Sequence, residues 1–361
     1  MKKKIVYALT AAMMIGAIYC GSSTAVSAST EAAKPASGAE QAASSAETAA
    51  DGQTEENVYR NPLTGEITET DISNKRPIIA MLNSIHQALP QSGNSSADML
   101  FEVPEEGGIT RVMAVYQDPT DVGNIGTIRS TRQYYVYLTM GLDGLMAHAG
   151  TGIYAQEVLD NEDYFTLDFM KISSIYWRDD WRKNNIATEH SLYTSSENIQ
   201  EYLDSHEDIR TEHEEEFVSP YTFTEDATPL EGEDANRIEV TFSDYKKTEF
   251  DYDKESGEYL VSFFDDEPYM DENTDTQVSV KNVIVLPTVQ EDQDDGQHQK
   301  FDLSEGIAYF ACNGKYEQIS WHKGEMYDPL VFTKADGSQL DLNVGQTYVC
   351  ILDDDQPISF S

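Results

Sequence analysis

Positive charge is scarce in this sequence. Its 24 lysines and arginines stand against 65 aspartates and glutamates, so the formal net charge is −41 at pH 7. Proteins that bind nucleic acid need cations to displace counterions from the phosphates, so we expect no nucleic-acid partner. The same balance disfavours docking on an anionic membrane surface.

Cysteine is rare as well, with three residues in the chain, Cys20, Cys312 and Cys350. Outside the cytoplasm Cys312 and Cys350 are free to form a disulfide, and two buried thiols are the alternative. The sequence lacks a His/Cys metal-binding spacing, a nucleophile elbow, a P-loop and a dinucleotide-binding glycine pattern. It therefore predicts no metal site and no cofactor.

The first 57 residues resemble an export leader followed by a spacer. Three lysines precede the apolar stretch 5–18, a pattern typical of a signal peptide. Cleavage after Ala28 would leave residues 29–57, which lack aromatic side chains and predict a disordered tether. Alternatively Cys20 carries a lipid anchor, although the residue before it is the large Tyr19. We expect an extracytoplasmic protein, either a membrane-anchored lipoprotein or secreted.

The length of the remaining chain predicts two domains. Residues 58–225 are predicted to form an α/β domain with a mixed sheet, and residues 237–361 a β-rich domain. The turn-rich stretch 222–236 is interpreted as the linker between them. In the first domain, Ser130 or Thr131 is expected to cap a helix that ends at Gly141, followed by a strand to His148.

Three arginines stand out in the first domain. Between Pro77 and Met170 the only basic residues are Arg111, Arg129 and Arg132. The use of arginine without lysine suggests planar, bidentate recognition of a phosphate or carboxylate. Backbone N–H groups at a helix start beside Arg129 and Arg132 would complete an anion cradle. The alternative is that these arginines pair with nearby glutamates and only stabilise the fold.

Other polar residues accompany the arginines. His148 and His190 each end an apolar element and are candidates for a proton shuttle or an anion ligand, or for purely structural roles. Ser130 is either a helix cap or a nucleophile without an assigned base. No catalytic residue is assigned. The predicted ligand-binding residues are Glu102, Arg111, Arg129, Ser130, Arg132, His148 and His190.

Trp177 and Trp181 are spaced by one helical turn, with Arg178 between them. This pattern predicts an amphipathic helix. Its tryptophans would either pack on the sheet or form a surface for sugar rings.

The order of the motifs resembles the YerB-like family of bacterial proteins described as lipoproteins. The shared motifs are Arg76-Pro-Ile, Leu89-Pro-Gln-Ser-Gly93, Glu106-Gly-Gly-Ile-Thr-Arg111, Ile128-Arg-Ser-Thr-Arg132, His148-Ala-Gly150, Glu189-His-Ser-Leu-Tyr-Thr194, Phe250-Asp-Tyr-Asp253 and Val280-Lys-Asn-Val-Ile-Val285. The resemblance covers about residues 61–352. It implies an extracytoplasmic, often lipid-anchored protein with two domains and an uncharacterised function, and it supplies no catalytic residues.

A weaker likeness, in the order of elements alone, is to the LytR–CpsA–Psr phosphotransferases. These enzymes attach lipid-pyrophosphate-linked polymers to the cell wall, with arginines on the pyrophosphate and aspartates on magnesium. By this analogy the three arginines would clamp phosphates and Asp98 would face the metal.

Two hypotheses follow from the sequence. The first is a Gram-positive cell-envelope protein that binds an anionic small molecule or wall polymer through its arginine cluster. The alternative is a phosphotransferase-like enzyme acting on lipid-pyrophosphate-linked glycopolymers. Whether the protein is an enzyme stays open, and the sequence indicates no particular protein partner.

Overall fold

A computed structural model describes residues 58–214, 218–224 and 230–361. The predicted signal peptide (1–28), the Cys20 anchor and the tether (29–57) lie outside the described residues and stay predictions. Within the described ranges, no helix combines the length and apolar character needed to cross a membrane.

The described residues form four α-helices, four 3-10 turns and 28 strands. The helices are α1 (Gln133–Gly141), α2 (Ile153–Glu162), α3 (Asp180–Asn185) and α4 (Ser196–Asp204). The 3-10 turns are His86–Ala88, Asn94–Ser96, Glu106–Gly108 and Thr188–His190. The strands up to residue 224 are β1 (Tyr59–Arg60), β2 (Ile67–Thr68), β3 (Ile78–Asn83), β4 (Met99–Pro104), β5 (Thr110–Tyr116), β6 (Asn124–Gly126), β7 (Leu145–His148), β8 (Leu167–Asp168), β9 (Trp177–Arg178), β10 (Leu192–Ser195) and β11 (Thr222–Thr224). The later strands are β12 (Glu233–Asp234), β13 (Arg237–Thr241), β14 (Lys247–Asp253), β15 (Glu258–Phe263), β16 (Glu267–Pro268), β17 (Met270–Asp271), β18 (Thr276–Gln277), β19 (Ser279–Val280), β20 (Asn282–Thr288), β21 (Gln290–Asp292), β22 (Gln299–Phe301), β23 (Glu305–Cys312), β24 (Lys315–His322), β25 (Val331–Lys334), β26 (Asp341–Asn343), β27 (Thr347–Asp353) and β28 (Ile358–Phe360).

An 11-stranded sheet dominates the architecture, in the order β12-β24-β23-β20-β27-β4-β5-β3-β7-β8, with β25 added beside β24. The pair β27–β4 is parallel and the pair β4–β5 is antiparallel, so the prediction of a mixed sheet is confirmed. The strand-rich character of the later residues also agrees with the prediction. All four helices lie between residues 133 and 204.

The continuity of this sheet was not anticipated. Strand β27 belongs to the later part of the chain and β4 to the earlier part, yet Val349 pairs with Phe101 and Cys350 with Glu102. The strands β3, β4 and β5 in the middle of the sheet are buried along their whole length. Their mostly apolar residues suit burial on both faces, and Glu102 and Arg111 are buried charged exceptions.

Successive residues of β4 point into two different cores. Phe101 shares one core with Tyr135 and Leu138 of α1. Leu100 belongs to the other core, together with Phe250 of a second, six-stranded sheet. Because side chains of a strand alternate between faces, β4 fixes which residues of the molecule meet on each side.

Two parts of the predicted linker 222–236 form strands. Residues 222–224 pair in parallel with residues 341–343, and residues 233–234 pair with residues 315–316. Both ends of this stretch therefore add to sheets, and its interpretation as the linker between the two domains stays a prediction.

The start of α1 also differs from the prediction. The helix ends at Gly141 as expected, but it begins at Gln133, and Arg132 occupies the N-cap position without a side-chain cap. Neither Ser130 nor Thr131 caps it. The Ser130 hydroxyl instead accepts a hydrogen bond from Arg132 Nη1 at 3.3 Å.

The two tryptophans do not share a helix. Trp177 lies in strand β9 and stacks on Tyr193, with ring centroids 6.0 Å apart. Trp181 lies in the short helix α3 and is 65% exposed. The predicted amphipathic helix is wrong because Asp179 caps α3, accepting from Arg182 N at 2.6 Å, and so separates strand from helix.

Cys312 and Cys350 are both buried, and neither forms a disulfide. They belong to different cores on opposite faces of the large sheet, and β20 lies between their strands. This geometry excludes a disulfide, which needs side chains that point toward each other at short range. The alternative of two buried thiols is the one that the structure supports.

The shared sheet predicts that the earlier and later parts of the chain unfold together. Phe101→Ala and Ile351→Ala each create a cavity in the same core, so each is expected to cost about 2–5 kcal/mol. Hydrogen exchange, measured for individual peptides at increasing urea concentration, should show that both parts of the chain unfold at a lower urea midpoint in either variant. Ile67→Ala, at a side chain that is 69% exposed, is the control. Two separate transitions, each moved by only one variant, would contradict the prediction.

Candidate functional site

Two of the three predicted arginines are already paired with glutamates. Arg111, buried on β5, donates from Nη1 to Glu105 Oε1 at 2.6 Å. Arg132 donates two hydrogen bonds to the Glu106 carboxylate, from Nε to Oε1 at 2.8 Å and from Nη2 to Oε2 at 2.6 Å. The Arg132 Nη2 atom also lies 3.3 Å from Glu105 Oε2. For Arg111 and Arg132 the geometry therefore matches the structural alternative.

This network is well shielded from water. Burial raises the pKa of Glu105, and the adjacent Arg111 and Arg132 act in the opposite direction. Arg111 Nη1 also donates a short hydrogen bond to the Ser130 carbonyl. The network thus fixes the backbone segment that carries Arg129 and Ser130.

Arg129 differs from its two neighbours. Its backbone is held on both sides, since its N–H donates to Met81 O at 2.8 Å and its carbonyl accepts from Ala149 N at 3.0 Å. Its side chain makes one hydrogen bond, from Nη1 to the Glu189 carbonyl at 2.9 Å. No carboxylate of the described residues lies within 4.0 Å of this guanidinium. Burial and the neighbouring Arg111 lower the pKa of Arg129, as expected for a cation without a close counterion.

Arg129 lines a cavity of about 200 Å³ together with a second arginine, Arg178. Arg178 lies on β9, and the pairing of Arg178 with Leu192 of β10 carries it to this place. Its Nη1 donates to the Thr188 carbonyl at 2.5 Å. In the part of the chain that the structure describes, it too has no carboxylate partner. The complete lining is Ile128, Arg129, Ser130, Ala149, Met170, Arg178, Glu189 and Leu192. We call this cavity the Arg129 pocket.

Gly150 follows the pocket residue Ala149 in the turn between β7 and α2. It has φ +84°, a conformation that favours glycine. A Cβ placed there would lie 3.6 Å from Met170 Cγ and 4.0 Å from Ser130 Cβ, which is ordinary van der Waals contact. Backbone conformation, and not lack of space, therefore favours glycine beside the pocket.

Glu102 is not part of this site. It is buried on the opposite face of β4, where its carboxylate accepts hydrogen bonds from Thr110, Thr248 and Tyr348. Its register neighbour across the hairpin is Val112, whereas Arg111 pairs with Val103. Because alternate residues face opposite sides, Glu102 and Arg111 point away from each other.

The two histidines also depart from the prediction. His148 is buried and both ring nitrogens are engaged, Nδ1 with the Gly150 carbonyl at 2.9 Å and Nε2 with Thr166 Oγ1 at 2.8 Å. Burial lowers the pKa of its imidazole. With no free ring nitrogen, His148 serves the β7–β8 region as a structural group and does not meet the arginines.

His190 lies near the pocket without lining it. Its Nδ1 accepts from Asn83 Nδ2 at 2.9 Å. Burial and the charge of Arg129 lower its pKa. Ser130 does line the pocket, but its hydroxyl contacts Arg132. Among the described residues, no histidine or carboxylate lies in hydrogen-bond contact with that hydroxyl, so a serine nucleophile lacks its base.

Arg178 and Met170 belong to the pocket but not to the predicted set. Arg178 follows Trp177. The spacing of Trp177 and Trp181 predicts a helix, whereas Arg178 lies in a strand. Its contact with the Arg129 segment depends on the small sheet β6-β10-β9, whose pairing is not visible in local sequence. The only local signals for this pocket were an arginine at the end of a strand-like segment, Arg178, and the Glu189-His190 pair later in the chain.

Asp98 is remote from the arginines. It precedes β4 and pairs through its N–H with Val115, four residues along β5 from Arg111, which corresponds to roughly 13 Å. Its carboxylate accepts from Asn61 Nδ2 at 2.8 Å and Gln117 N at 2.6 Å. The arrangement expected by analogy with the phosphotransferases is not assembled here. No group of three or more His, Cys, Asp or Glu suited to a metal occurs in the described ranges.

Asp98 should make stability depend on pH. Burial raises its pKa from 3.8 to about 7. The folded protein then binds more protons than the unfolded chain between about pH 4 and about pH 7, so this residue makes stability fall as pH rises through that window. Relative to Asp98→Asn, the wild type should lose up to about 4 kcal/mol across it. Urea unfolding at several pH values measures this slope, and parallel pH profiles for the two proteins would refute it.

Comparison with known proteins places this chain in a family. Residues 63–210 match a family model described as "Protein of unknown function (DUF3048) N-terminal domain", and residues 238–349 match the corresponding C-terminal domain. The chain is 29% identical over 308 residues to a Bacillus subtilis (strain 168) protein named "Putative lipoprotein YerB", covering 83% of this chain and 88% of the relative. The crystal structure of the YerB protein from Bacillus subtilis matches with a TM-score of 0.71 at 27% identity, covering 83% of this chain and 99% of that one. The motif order, both domain matches and the shared fold agree, and the chain belongs to the two-domain YerB-like family of unknown function.

Proposed function

We propose that this protein is an extracytoplasmic cell-envelope protein that binds an anionic group, a phosphate or carboxylate of a small molecule or wall polymer, in the Arg129 pocket. The observation that carries the proposal is the pairing pattern of the arginines. Arg111 and Arg132 are neutralised by glutamates, whereas Arg129 and Arg178 have no carboxylate within 4.0 Å among the described residues and line the same cavity.

The charge of the whole protein makes this pattern informative. With 65 acidic residues against 24 basic ones, a guanidinium has many carboxylates to choose from. Leaving two of them unpaired and half-buried costs free energy, because a desolvated charge needs a counterion. A bound anion would supply that counterion and accept hydrogen bonds from the planar guanidinium groups of Arg129 and Arg178.

The surroundings suggest how such an anion would be held. The Ser130 hydroxyl offers a further polar contact, and the Arg111–Glu105–Arg132 network holds its backbone in place. Ile128, Ala149, Met170 and Leu192 form apolar walls that exclude water and so strengthen the electrostatic attraction. The volume of about 200 Å³ fits an anionic head group with little else, so the remainder of a larger ligand would extend into solvent.

The proposed extracytoplasmic location is based on the name of the Bacillus relative and on the N-terminal sequence of this chain. The Bacillus relative is named as a lipoprotein, and this chain begins with a signal-like segment containing Cys20. A membrane anchor at Cys20 followed by the 29–57 spacer would hold the pocket away from the membrane. This placement suits a ligand in the envelope, such as a phosphate-bearing wall polymer. The phosphotransferase alternative gains no support from geometry, since Asp98 lies away from the arginines.

Binding should appear as stabilisation by ligand. We expect pyrophosphate, glycerol phosphate or succinate to raise the melting temperature, with about 2.7 kcal/mol of stabilisation at a concentration of 100 Kd. Arg129→Ala and Arg178→Ala should each weaken binding at least about tenfold, since a charge-assisted hydrogen bond contributes roughly 1.5–3 kcal/mol. Thermal melts at constant ionic strength, adjusted with sodium chloride, measure the effect.

The matched control is Lys254→Ala. It removes one positive charge from the exposed turn between β14 and β15 and leaves the pocket intact. If the control loses as much affinity as Arg129→Ala, the effect is general electrostatics. If none of the anions shifts the melt of the wild-type protein, the proposed function is wrong.

Substitution should lower the free energy of unfolding more at the glutamate-paired Arg132 than at Arg129. Arg132→Ala leaves Glu106 without its arginine and Glu105 with Arg111 alone, so it should lower the free energy of unfolding by on the order of 3 kcal/mol. Arg129→Ala removes one hydrogen bond to a carbonyl and relieves an unpaired charge, so the loss should stay below about 1 kcal/mol. Urea unfolding without added anion measures both. A large loss for Arg129→Ala would show that Arg129 serves the fold instead of a ligand.

A further inference from the structure

A buried lysine and a buried glutamate meet on the face of β4 opposite the side chain of Arg111. Lys246 lies in the turn between β13 and β14, and its side chain is 0% exposed. Glu102 lies on β4 and its side chain is also 0% exposed. Lys246 Nζ is 3.1 Å from Glu102 Oε1. The pair therefore joins the two family-matched parts of the chain at a point shielded from water.

Hydroxyl groups surround the pair in a definite arrangement. Thr110 Oγ1 donates to Glu102 Oε1 at 2.5 Å, and Tyr348 OH donates to Oε2 at 2.7 Å. Thr248 bridges the two partners, because its Oγ1 accepts from Lys246 Nζ at 3.0 Å and donates to Glu102 Oε2 at 2.8 Å. A continuous path for a proton thus runs from the amine to one oxygen of the carboxyl group.

Aromatic rings enclose the amine. Lys246 Nζ lies 2.9 Å from the centroid of the Phe263 ring and 5.1 Å from that of Phe264. Burial lowers the pKa of Lys246 to about 8, although Glu102 acts in the opposite direction. The apolar enclosure penalises the charged form of the amine. A neutral amine is the nucleophilic form of lysine.

We propose that Lys246 and Glu102 form an intramolecular amide cross-link, which joins the turn before β14 covalently to β4. The amine and the carboxyl group are held in hydrogen-bond contact, with Nζ 3.1 Å from Oε1 of the group whose Cδ it would attack. Such fixed placement replaces a high concentration of external reagent, up to about 10⁵–10⁸ M in well-oriented intramolecular reactions.

The reaction balances without an added reagent. The ammonium first gives one proton to the carboxylate, which produces an amine and a carboxylic acid. The Nζ lone pair then attacks Cδ of Glu102 and forms the C–N bond, while Thr110 donates to the oxygen Oε1 that gains negative charge. A second proton passes from Nζ through the Thr248 hydroxyl to Oε2, the Cδ–Oε2 bond breaks, and one water molecule leaves.

The cross-link would suit the rest of the molecule. Cys312 and Cys350 form no disulfide and are too poorly placed to form one with each other, so no covalent link of that kind joins the described parts of the chain. An amide between residues 102 and 246 would secure the junction that β4 and β27 form by hydrogen bonds alone. It would also replace a buried charge pair by a neutral group whose carbonyl, Oε1, still accepts from Thr110.

Mass spectrometry of the purified full-length protein tests the proposal. After denaturation, the intact mass should be lower than the mass of its determined N-terminus-to-Ser361 sequence by that of one water molecule. Trypsin should release the peptide that contains Glu102 joined to the one that contains Lys246, without cleavage after Lys246. An unchanged intact mass, with the two peptides recovered separately, means an ion pair only and overturns the proposal.

Two variants complete the experiment. The double variant Lys246→Met with Glu102→Gln removes the nucleophile and both charges while keeping side-chain lengths, so it should show its full sequence mass. Thr248→Val preserves shape but interrupts the proton path, and the cross-linked fraction should fall by at least tenfold at equal time after synthesis. Thr248 is a positioning and proton-relay residue in this reaction, so an unchanged fraction in Thr248→Val would overturn the assigned relay. Loss of one water in the double variant would overturn the assignment of the bond to these residues.

Discussion

The parallel pairing of β27 with β4 organises this molecule. It joins strands far apart in sequence into one 11-stranded sheet, so neither part of the chain has a complete core alone. Strand β4 consequently has neighbours on both sides and buried residues on both faces. The Arg129 pocket and the Lys246–Glu102 pair each depend on this strand, the first through the turn that carries Glu105 and the second through Glu102 itself.

The distribution of charge gives the two faces different chemistry. On the face of Arg111, Glu105 pairs with Arg111, and the adjacent Glu106 pairs with Arg132. On the opposite face a single lysine and glutamate are enclosed by hydroxyls and aromatic rings. The paired charges of the arginine network hold the backbone segment that carries Arg129, for which we propose anion binding. Such a division is expensive in free energy, which is why it points to a use beyond stability.

Sequence patterns predicted local structure well and three-dimensional neighbours poorly. The end of α1 at Gly141 and the strand that ends at His148 follow from periodicity and turn chemistry, which act over a few residues. The pairing of Arg129 with Arg178 could not be read in the same way, because it depends on β9 joining β10. The shared sheet was equally inaccessible, since parallel pairing over some 250 residues leaves no local signal.

The position of Glu102 shows how a single structural parameter decides function. Glu102 and Glu105 are close in sequence and chemically similar, yet one faces Lys246 and the other faces Arg111. Strand parity sends Glu102 to the face of Thr110 and Val112, and the turn after Pro104 returns Glu105 to the face of Arg111. A slip of one residue in the β4–β5 register would exchange the faces and bury Arg111 among the aromatic rings around Lys246. Two like charges would then meet in a dry core, so the native register is enforced by electrostatics as well as by the apolar pattern. The same constraint that holds the hairpin in place therefore keeps the arginine network and the lysine–glutamate pair apart.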